Sequence, residues 1–192
     1  YDMVVQAMGG VMSLTGHPGG PPTRVGTSTG DLTAALFATI GITTALYDRE
    51  KTGRGQKVDV AMLDSQVAVL ENAISRYVAT GDVPGKLGSR HPSIAPFAAF
   101  ATKDGHIAIA AGNDDIWARV CRVMDREELI IDERFLTNPL RVQHVDAMAA
   151  EMEKSLAAKP SKEWLAALEA EGVPCGPINT VADVMSDPQV LS

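Results

Sequence analysis

The stretch 21–65 organises this chain. It consists of a loop rich in Gly, Ser and Thr, a predicted helix from about Leu32 to Arg49, a turn, and a short segment, 57–61, whose alternation of polar and apolar residues predicts a strand. The helix carries Ala, Leu, Phe and Ile on most faces, so we expect it to be buried over most of its circumference. Gly53 is its expected C-cap.

Asp31 stands where this helix is expected to begin, directly after Gly30. From spacing alone it is a candidate N-cap, because a carboxylate there accepts hydrogen bonds from the free N–H groups of the first turn. From spacing alone, the N-cap is the favoured interpretation.

The rest of the chain reads as helices followed by a small α+β region, with the best candidate boundary at Gly81–Gly88. Asp104-Gly105 between two apolar runs is a strong hairpin signal. Further expectations from the pattern are a helix over 63–79, strands at 97–101 and 106–111, a helix capped by Asn113 or Asp114, a helix over 140–158, and a helix capped by Ser161. Trp117 and Trp164 are expected to pack in the core.

Composition limits the classes of partner. Of 192 residues, 45% are hydrophobic and 21% charged, as in ordinary globular proteins, and the net charge of −7 argues against nucleic acid or an anionic membrane as the main partner. We find no apolar run long enough to span a bilayer, and so expect no membrane partner. Cys121 and Cys175 lie far apart, without metal-ligand spacing, so we expect reduced thiols, no metal and a cytoplasmic location.

A long motif gives a more specific indication. The run G-D-x-x-x-A-x-F-A-x-I-G-I-x-x-A-L-x-x-R-x-x-T-G-x-G-Q-x-V-D-V-A-M, which starts at Gly30, resembles the central signature of the family III CoA-transferases, the CaiB/BaiF and formyl-CoA transferase group. Other segments resemble the family in the same order along nearly the whole chain: Tyr1-Asp2 with Gln6-Ala7, Arg90-His91-Pro92, Gly112-Asn113-Asp114, and Gly172–Thr180.

The resemblance implies an α/β fold in which part of a Rossmann-like large domain is joined by a helical linker to a small α+β domain. It places residues 1–61 in the large CoA-binding domain with the active-site loop, 62–88 in the linker, 89–180 in the small domain and 181–192 in a return linker. It also implies an interlocked dimer for the full-length protein. We expect this chain to be a piece that lacks roughly the first third of the parent protein and its C-terminal tail.

The resemblance further implies that the full-length protein transfers coenzyme A between an acyl-CoA thioester and a free carboxylic acid through a covalent aspartyl intermediate. Asp31 maps onto the nucleophile, and we expect the backbone N–H of Gly30 to stabilise the oxyanion. Tyr1, Asp2 and His91 are expected near the substrate or CoA. No bound cofactor or metal is expected, because CoA enters as a substrate, and the isolated chain is expected to be inactive.

Two alternatives remain open. One is an α-methylacyl-CoA racemase of the same fold, in which a His-Asp pair stands where this chain has Tyr1-Asp2; Tyr1 argues against it, because a phenol is a poor base near neutral pH. The other is a non-catalytic structural piece whose apolar surfaces serve dimerisation.

Overall fold

Helices dominate the computed structural model, which describes residues 1–192. The chain divides after Gly88 into an N-terminal unit, Tyr1–Gly88, and a C-terminal unit, Ser89–Ser192. The N-terminal unit contains α1 (Asp2–Met8), α2 (Val11–Leu14), α3 (Thr29–Thr52), α4 (Met62–Ala68) and α5 (Asn72–Thr80). The assignment of 62–88 as a linker and of 181–192 as a return linker stays a prediction.

The long helix α3 begins three residues earlier than Leu32, with Ser28 as its N-cap residue. The prediction of Asp31 as N-cap is therefore wrong, and Asp31 is the third helical residue. The reason is that a carboxylate outside the helix, that of Asp2 on α1, accepts from a first-turn N–H group. The predicted C-cap is confirmed: Gly53 has φ of 71° and its N–H donates to the Arg49 carbonyl at 2.8 Å.

The expected burial of α3 is also wrong. Along its apolar stripe, defined here as Leu32, Leu36, Ile40 and Tyr47, exposure ranges from 56 to 65%. Within its unit, α3 packs against α1 and α4 and buries only Gly30. The prediction that no apolar run is long enough to span a bilayer is wrong, because α3 is long and apolar enough to do so. Core helices of soluble proteins pass the same test of length and composition.

Two further predictions in the N-terminal unit are wrong. Residues 57–61 form no strand, because the unit offers no neighbouring strand for hydrogen bonding. The helix expected over 63–79 is broken into α4 and α5, and Glu71 between them has φ of 48°, a value that a continuing helix does not allow.

The C-terminal unit is a mixed α/β structure around a three-stranded antiparallel sheet. It contains β1 (Phe97–Ala101), β2 (His106–Ala110), α6 (Asp114–Val123), a 3₁₀ helix (Glu127–Ile130), α7 (Asn138–Gln143), α8 (Val145–Leu156), α9 (Ser161–Ala170), β3 (Cys175–Pro177), α10 (Val181–Ser186) and α11 (Pro188–Leu191). The strand order is β1-β2-β3, and Phe97 pairs with Ala110 in the first ladder. The predicted hairpin is confirmed.

The core of this unit lies between one face of the sheet and the helices. Ile107 and Ile109 point into it from β2. The predicted core packing of Trp117 and Trp164 is confirmed, because both side chains are at most 2% exposed. Arg141 is fully buried there, and its guanidinium donates to the carbonyls of Ala95 and Phe135 and to the Asp114 carboxylate.

Helix ends in the C-terminal unit confirm one predicted cap and correct two other expectations. The Asn113 side chain accepts from the Ile116 N–H at 2.9 Å, as an N-cap does. Ser161 is inside α9, whose N-cap residue is Pro160, because the Asp104 carboxylate of the hairpin turn accepts from the Ser161 N–H and hydroxyl. The helix expected over 140–158 is two helices, α7 and α8, which meet at His144.

Candidate functional site

Asp31 lies in the first turn of α3 with its side chain exposed. Its carboxylate takes part in no hydrogen bond and no ion pair in this structure. The N–H groups of Thr29 and Gly30 have acceptors, whereas the N–H of Asp31 has no protein acceptor. A carboxylate at this place is favoured by the helix dipole, which stabilises the anion. The structure therefore presents an exposed carboxylate without a polar partner at the start of α3.

The neighbouring carboxylate of Asp2 is the opposite case. Asp2 is the first residue of α1, and its side chain is 10% exposed. It accepts from the Gly30 N–H at 2.9 Å, from Gln6 Nε2 at 3.0 Å on both oxygens, and from Arg24 Nη2 at 3.2 Å. With both oxygens engaged, Asp2 acts here as an acceptor that ties α1 to the start of α3.

The hydrogen bonds change the acidity of Asp2. Donation from Gln6 is the largest influence, and donation from Gly30 and Arg24 acts in the same direction, so that the pKa of the Asp2 carboxyl lies below its usual value despite its partial burial. Asp2 is therefore ionised near neutral pH and is a poor proton donor or base.

Gln6 completes this arrangement from inside the N-terminal unit. It is fully buried, and besides Asp2 its Nε2 donates to the Thr27 carbonyl at 3.1 Å, while its Oε1 accepts from the Val25 N–H at 3.0 Å. The opposite amide orientation would place an oxygen against the oxygens of Asp2 and Thr27, so the hydrogen bonds fix the orientation.

The backbone N–H of Gly30, expected to be an oxyanion donor, is already engaged by Asp2. Gly30 is buried, and a Cβ added there would lie 3.2 Å from Asp2 Oδ1 and 3.5 Å from Val5 Cγ1. Because α1 approaches so closely, a residue without a side chain fits best at this position. The free first-turn donor beside the carboxylate is instead the N–H of Asp31 itself.

Tyr1 and His91 fall in different units. Tyr1 precedes α1 and is fully exposed, and its carbonyl accepts from the N–H groups of Val4 and Val5. His91 belongs to the C-terminal unit, where its ring stands 5.2 Å from that of Phe97 and its Nδ1 accepts from the Ser93 N–H at 3.2 Å. The structure thus brings Asp31, Gly30 and Asp2 together, and the roles expected for Tyr1 and His91 stay predictions.

Residues for a metal or a reactive thiol are not gathered at this site. No group of three or more His, Cys, Asp or Glu side chains has a geometry that could hold a metal ion. Both cysteines are free thiols; Cys121 is buried, and burial raises its pKa to about 12, which keeps it protonated.

Sequence reasoning missed Gln6 and Arg24 as separate site residues. One signal was present for Gln6, because Asp2 and Gln6 are four residues apart and so share a helix face. Arg24 reaches Asp2 from a loop 22 positions away, and no local pattern predicts such a contact.

Comparison with known proteins gives one consistent family. The family model described as CoA-transferase family III matches residues 1–192. The chain is 44% identical over 193 residues to an acetyl-CoA:oxalate CoA-transferase of Acetobacter aceti, and 39% identical over 191 residues to a succinyl-CoA:glutarate CoA-transferase of Mus musculus. Essentially the whole chain is covered in both comparisons, with 50% and 44% of the relatives.

The solved structures agree. A crystal structure of a CaiB/BaiF family protein from Brucella suis matches with a TM-score of 0.85 and 41% identity, over 100% of this chain and 50% of that one. The chain therefore spans about half the length of the relatives that it matches.

Proposed function

Since this chain belongs to CoA-transferase family III, we propose that the complete protein containing it transfers coenzyme A from an acyl-CoA thioester to a free carboxylic acid, with Asp31 as covalent nucleophile. The observation that carries the proposal is the contrast between two neighbouring carboxylates. Asp2 is engaged by three residues, whereas Asp31 is exposed and unpartnered at a helix start. A nucleophile needs a free oxygen lone pair, and of these two carboxylates Asp31 is the one without hydrogen bonds.

The proposed reaction has four steps. The Asp31 carboxylate attacks the thioester carbonyl, giving a mixed anhydride and CoA thiolate. The thiolate attacks the Asp31 carbonyl, giving an aspartyl-CoA thioester and releasing the donor acid. The acceptor carboxylate attacks this thioester, again giving a mixed anhydride and thiolate, which then attacks the acceptor carbonyl. The products are the new acyl-CoA and the Asp31 carboxylate, with no redox change and no metal.

An oxyanion forms at each attack, and a backbone N–H is the natural donor. We assign this role to the Asp31 N–H rather than to that of Gly30, because Gly30 donates to Asp2. The positive end of α3 acts in the same sense, since it favours negative charge at its first turn.

The names of the relatives suggest the substrates to try. They are named for acetyl-CoA with oxalate and for succinyl-CoA with glutarate. We therefore propose small dicarboxylic acids as acceptor substrates of the complete protein. Homodimerisation is also part of the proposal, and the exposed apolar stripe of α3 supports it, because an apolar surface of that kind marks a contact region.

Oxygen labelling tests the mechanism. When the complete protein turns over acyl-CoA with an acceptor acid labelled with ¹⁸O in its carboxylate, the steps above leave one labelled oxygen on Asp31 after a single turnover. Turnover without label in the Asp31 peptide would overturn the covalent mechanism. Deuterium incorporation at the α-carbon of a 2-methylacyl-CoA, without CoA transfer, would identify the racemase instead.

A further inference from the structure

The side chain of Gln6 joins two parts of the N-terminal unit, α1 and the loop that enters α3. Its amide group forms hydrogen bonds with the Asp2 carboxylate on α1, with the Thr27 carbonyl and with the Val25 N–H. Both N–H bonds and the carbonyl oxygen of the amide are used, and the residue is fully buried. A buried amide with all its groups satisfied is held in one orientation.

These contacts lead directly to Asp31. Thr27 and Val25 belong to the loop that enters α3, and Asp2 accepts from Gly30, the residue before Asp31. The loop and the first turn of α3 are therefore attached to α1 at three backbone points, through one amide and one carboxylate. The Asp31 side chain forms no hydrogen bond or ion pair, so the place from which it projects depends on the backbone of this first turn.

We propose that Gln6 is a positioning residue for the Asp31 nucleophile. It holds the Asp2 carboxylate and the loop so that the first turn of α3 presents Asp31 in one direction. The inference rests on the proposed function, but goes beyond it, because it assigns a role to a residue that touches neither the substrate nor Asp31. Displacement of a reacting group by about 1 Å slows a reaction by about 100-fold, so the loss of this support is measurable in the rate.

Another glutamine offers a matched control. Gln66 on α4 is also fully buried, but its amide nitrogen and oxygen have no hydrogen-bond partner in this structure. Methionine has the same unbranched shape as glutamine without its hydrogen bonds. Gln6→Met removes four hydrogen bonds and leaves the Thr27 carbonyl, the Val25 N–H and Asp2 short of partners, whereas Gln66→Met removes none.

The experiment measures covalent adduct formation on Asp31 in the complete protein at saturating acetyl-CoA or succinyl-CoA. We expect Gln6→Met to slow adduct formation about 10- to 100-fold with less than about a threefold change in KM, and Gln66→Met to react as the unsubstituted protein does. Gln6→Asn, which adds no charge and shortens the side chain by one methylene so that its amide does not reach all of these partners, is the second variant if Gln6→Met does not fold. We expect it to be slowed in the same range.

Hydrogen exchange of the Gly30 amide provides a second measurement. We expect this amide to be protected in the unsubstituted protein and to exchange at least about tenfold faster in either Gln6 variant. Unchanged adduct rates in the folded Gln6 variants, an equal loss in Gln66→Met, or an unprotected Gly30 amide in the unsubstituted protein would each overturn the role of Gln6 alone. Absence of an adduct in the unsubstituted protein during turnover would overturn the proposed function, and this assignment with it.

Discussion

The carboxylate of Asp2 accepts a hydrogen bond of 2.9 Å from the backbone N–H of Gly30, the residue that precedes Asp31. This bond joins α1 to the first turn of α3 and replaces the cap that a residue of the helix itself would supply. The Asp2 carboxylate therefore holds the start of the helix, whereas the Asp31 carboxylate is left without a hydrogen-bond partner.

Asp2→Asn tests this division. Asparagine keeps one oxygen acceptor but loses the negative charge that Arg24 and Gln6 contact, so we expect the start of α3 to be displaced and adduct formation to slow about tenfold. The measurement is the rate of adduct formation on Asp31 at saturating acyl-CoA. Asp48→Asn, which neutralises an exposed carboxylate in the same helix, is the control and should not change the rate. Equal rates for Asp2→Asn and Asp48→Asn would contradict the role given to Asp2.

A side chain at Gly9 is expected to destabilise the N-terminal unit. A Cβ at Gly9 would lie 2.5 Å from Gln66 Cγ and 2.9 Å from the Val5 carbonyl oxygen, and the latter is backbone that cannot move aside. We expect Gly9→Ala to lower the free energy of unfolding by about 1–3 kcal/mol. Gly85→Ala is the control, because no atom lies within 4 Å of its added Cβ. Denaturant unfolding of the two variants measures the difference, and equal midpoints would refute the close approach of α1 and α4.

The acid stability of the C-terminal unit should depend on Glu151. Hydrogen bonds from Lys154 and Arg126 lower the pKa of this carboxyl from 4.5 to about 2. Because the folded pKa is below the unfolded one, the stabilisation is fully present above about pH 4.5 and is lost as the pH falls towards 2. We expect Glu151→Gln to show a shallower decline of the thermal midpoint across this window. Glu163→Gln, at an exposed position without a charged partner, is the control, and its thermal midpoint should fall with pH as that of the unsubstituted protein does. If the thermal midpoint of Glu151→Gln falls equally steeply, the ion pairs of Glu151 contribute nothing to acid stability.

The apolar stripe of α3 should make the isolated 192-residue chain self-associate. Leu36 and Ile40 are 65% and 60% exposed, and contiguous apolar surface of this kind drives association in water. We expect light scattering to show species larger than a monomer, and the double substitution Leu36→Gln with Ile40→Gln to reduce them. Val83→Gln, at an exposed apolar position outside α3, is the control. A monodisperse monomer in the unsubstituted chain would remove this support for dimerisation.

Local patterns predicted some elements of the fold well. The hairpin at Asp104-Gly105, the cap at Asn113 and the C-cap at Gly53 depend on residues a few positions apart, and all three are confirmed. These signals succeed because the energetic reason is contained in the local sequence, such as a positive φ or a side chain that reaches its own backbone.

The errors share a different physical cause, which is that the deciding contact is remote in sequence. The start of α3 depends on Asp2, 28 positions before Gly30, and the start of α9 depends on Asp104, 57 positions before Ser161. The prediction that α3 is buried was wrong for a related reason. A helix with apolar residues on all faces is buried only if neighbours surround it, and this unit provides α1 and α4 as its neighbours. At the candidate site, the motif located Asp31, whereas its support by Gln6 and Arg24 required the structure.

The most direct test of the account is the mass of the peptide that contains Asp31. The complete protein is incubated with acetyl-CoA or succinyl-CoA, quenched with acid and digested, and the peptide is measured beside those of Asp31→Ala and Asp48→Ala. We predict an added mass of CoA or of the acyl group on Asp31, present in Asp48→Ala and absent in Asp31→Ala, which should also lose CoA transfer. Undiminished CoA transfer in Asp31→Ala, or transfer by the unsubstituted protein with no adduct on this peptide, would contradict the assignment of Asp31 as nucleophile.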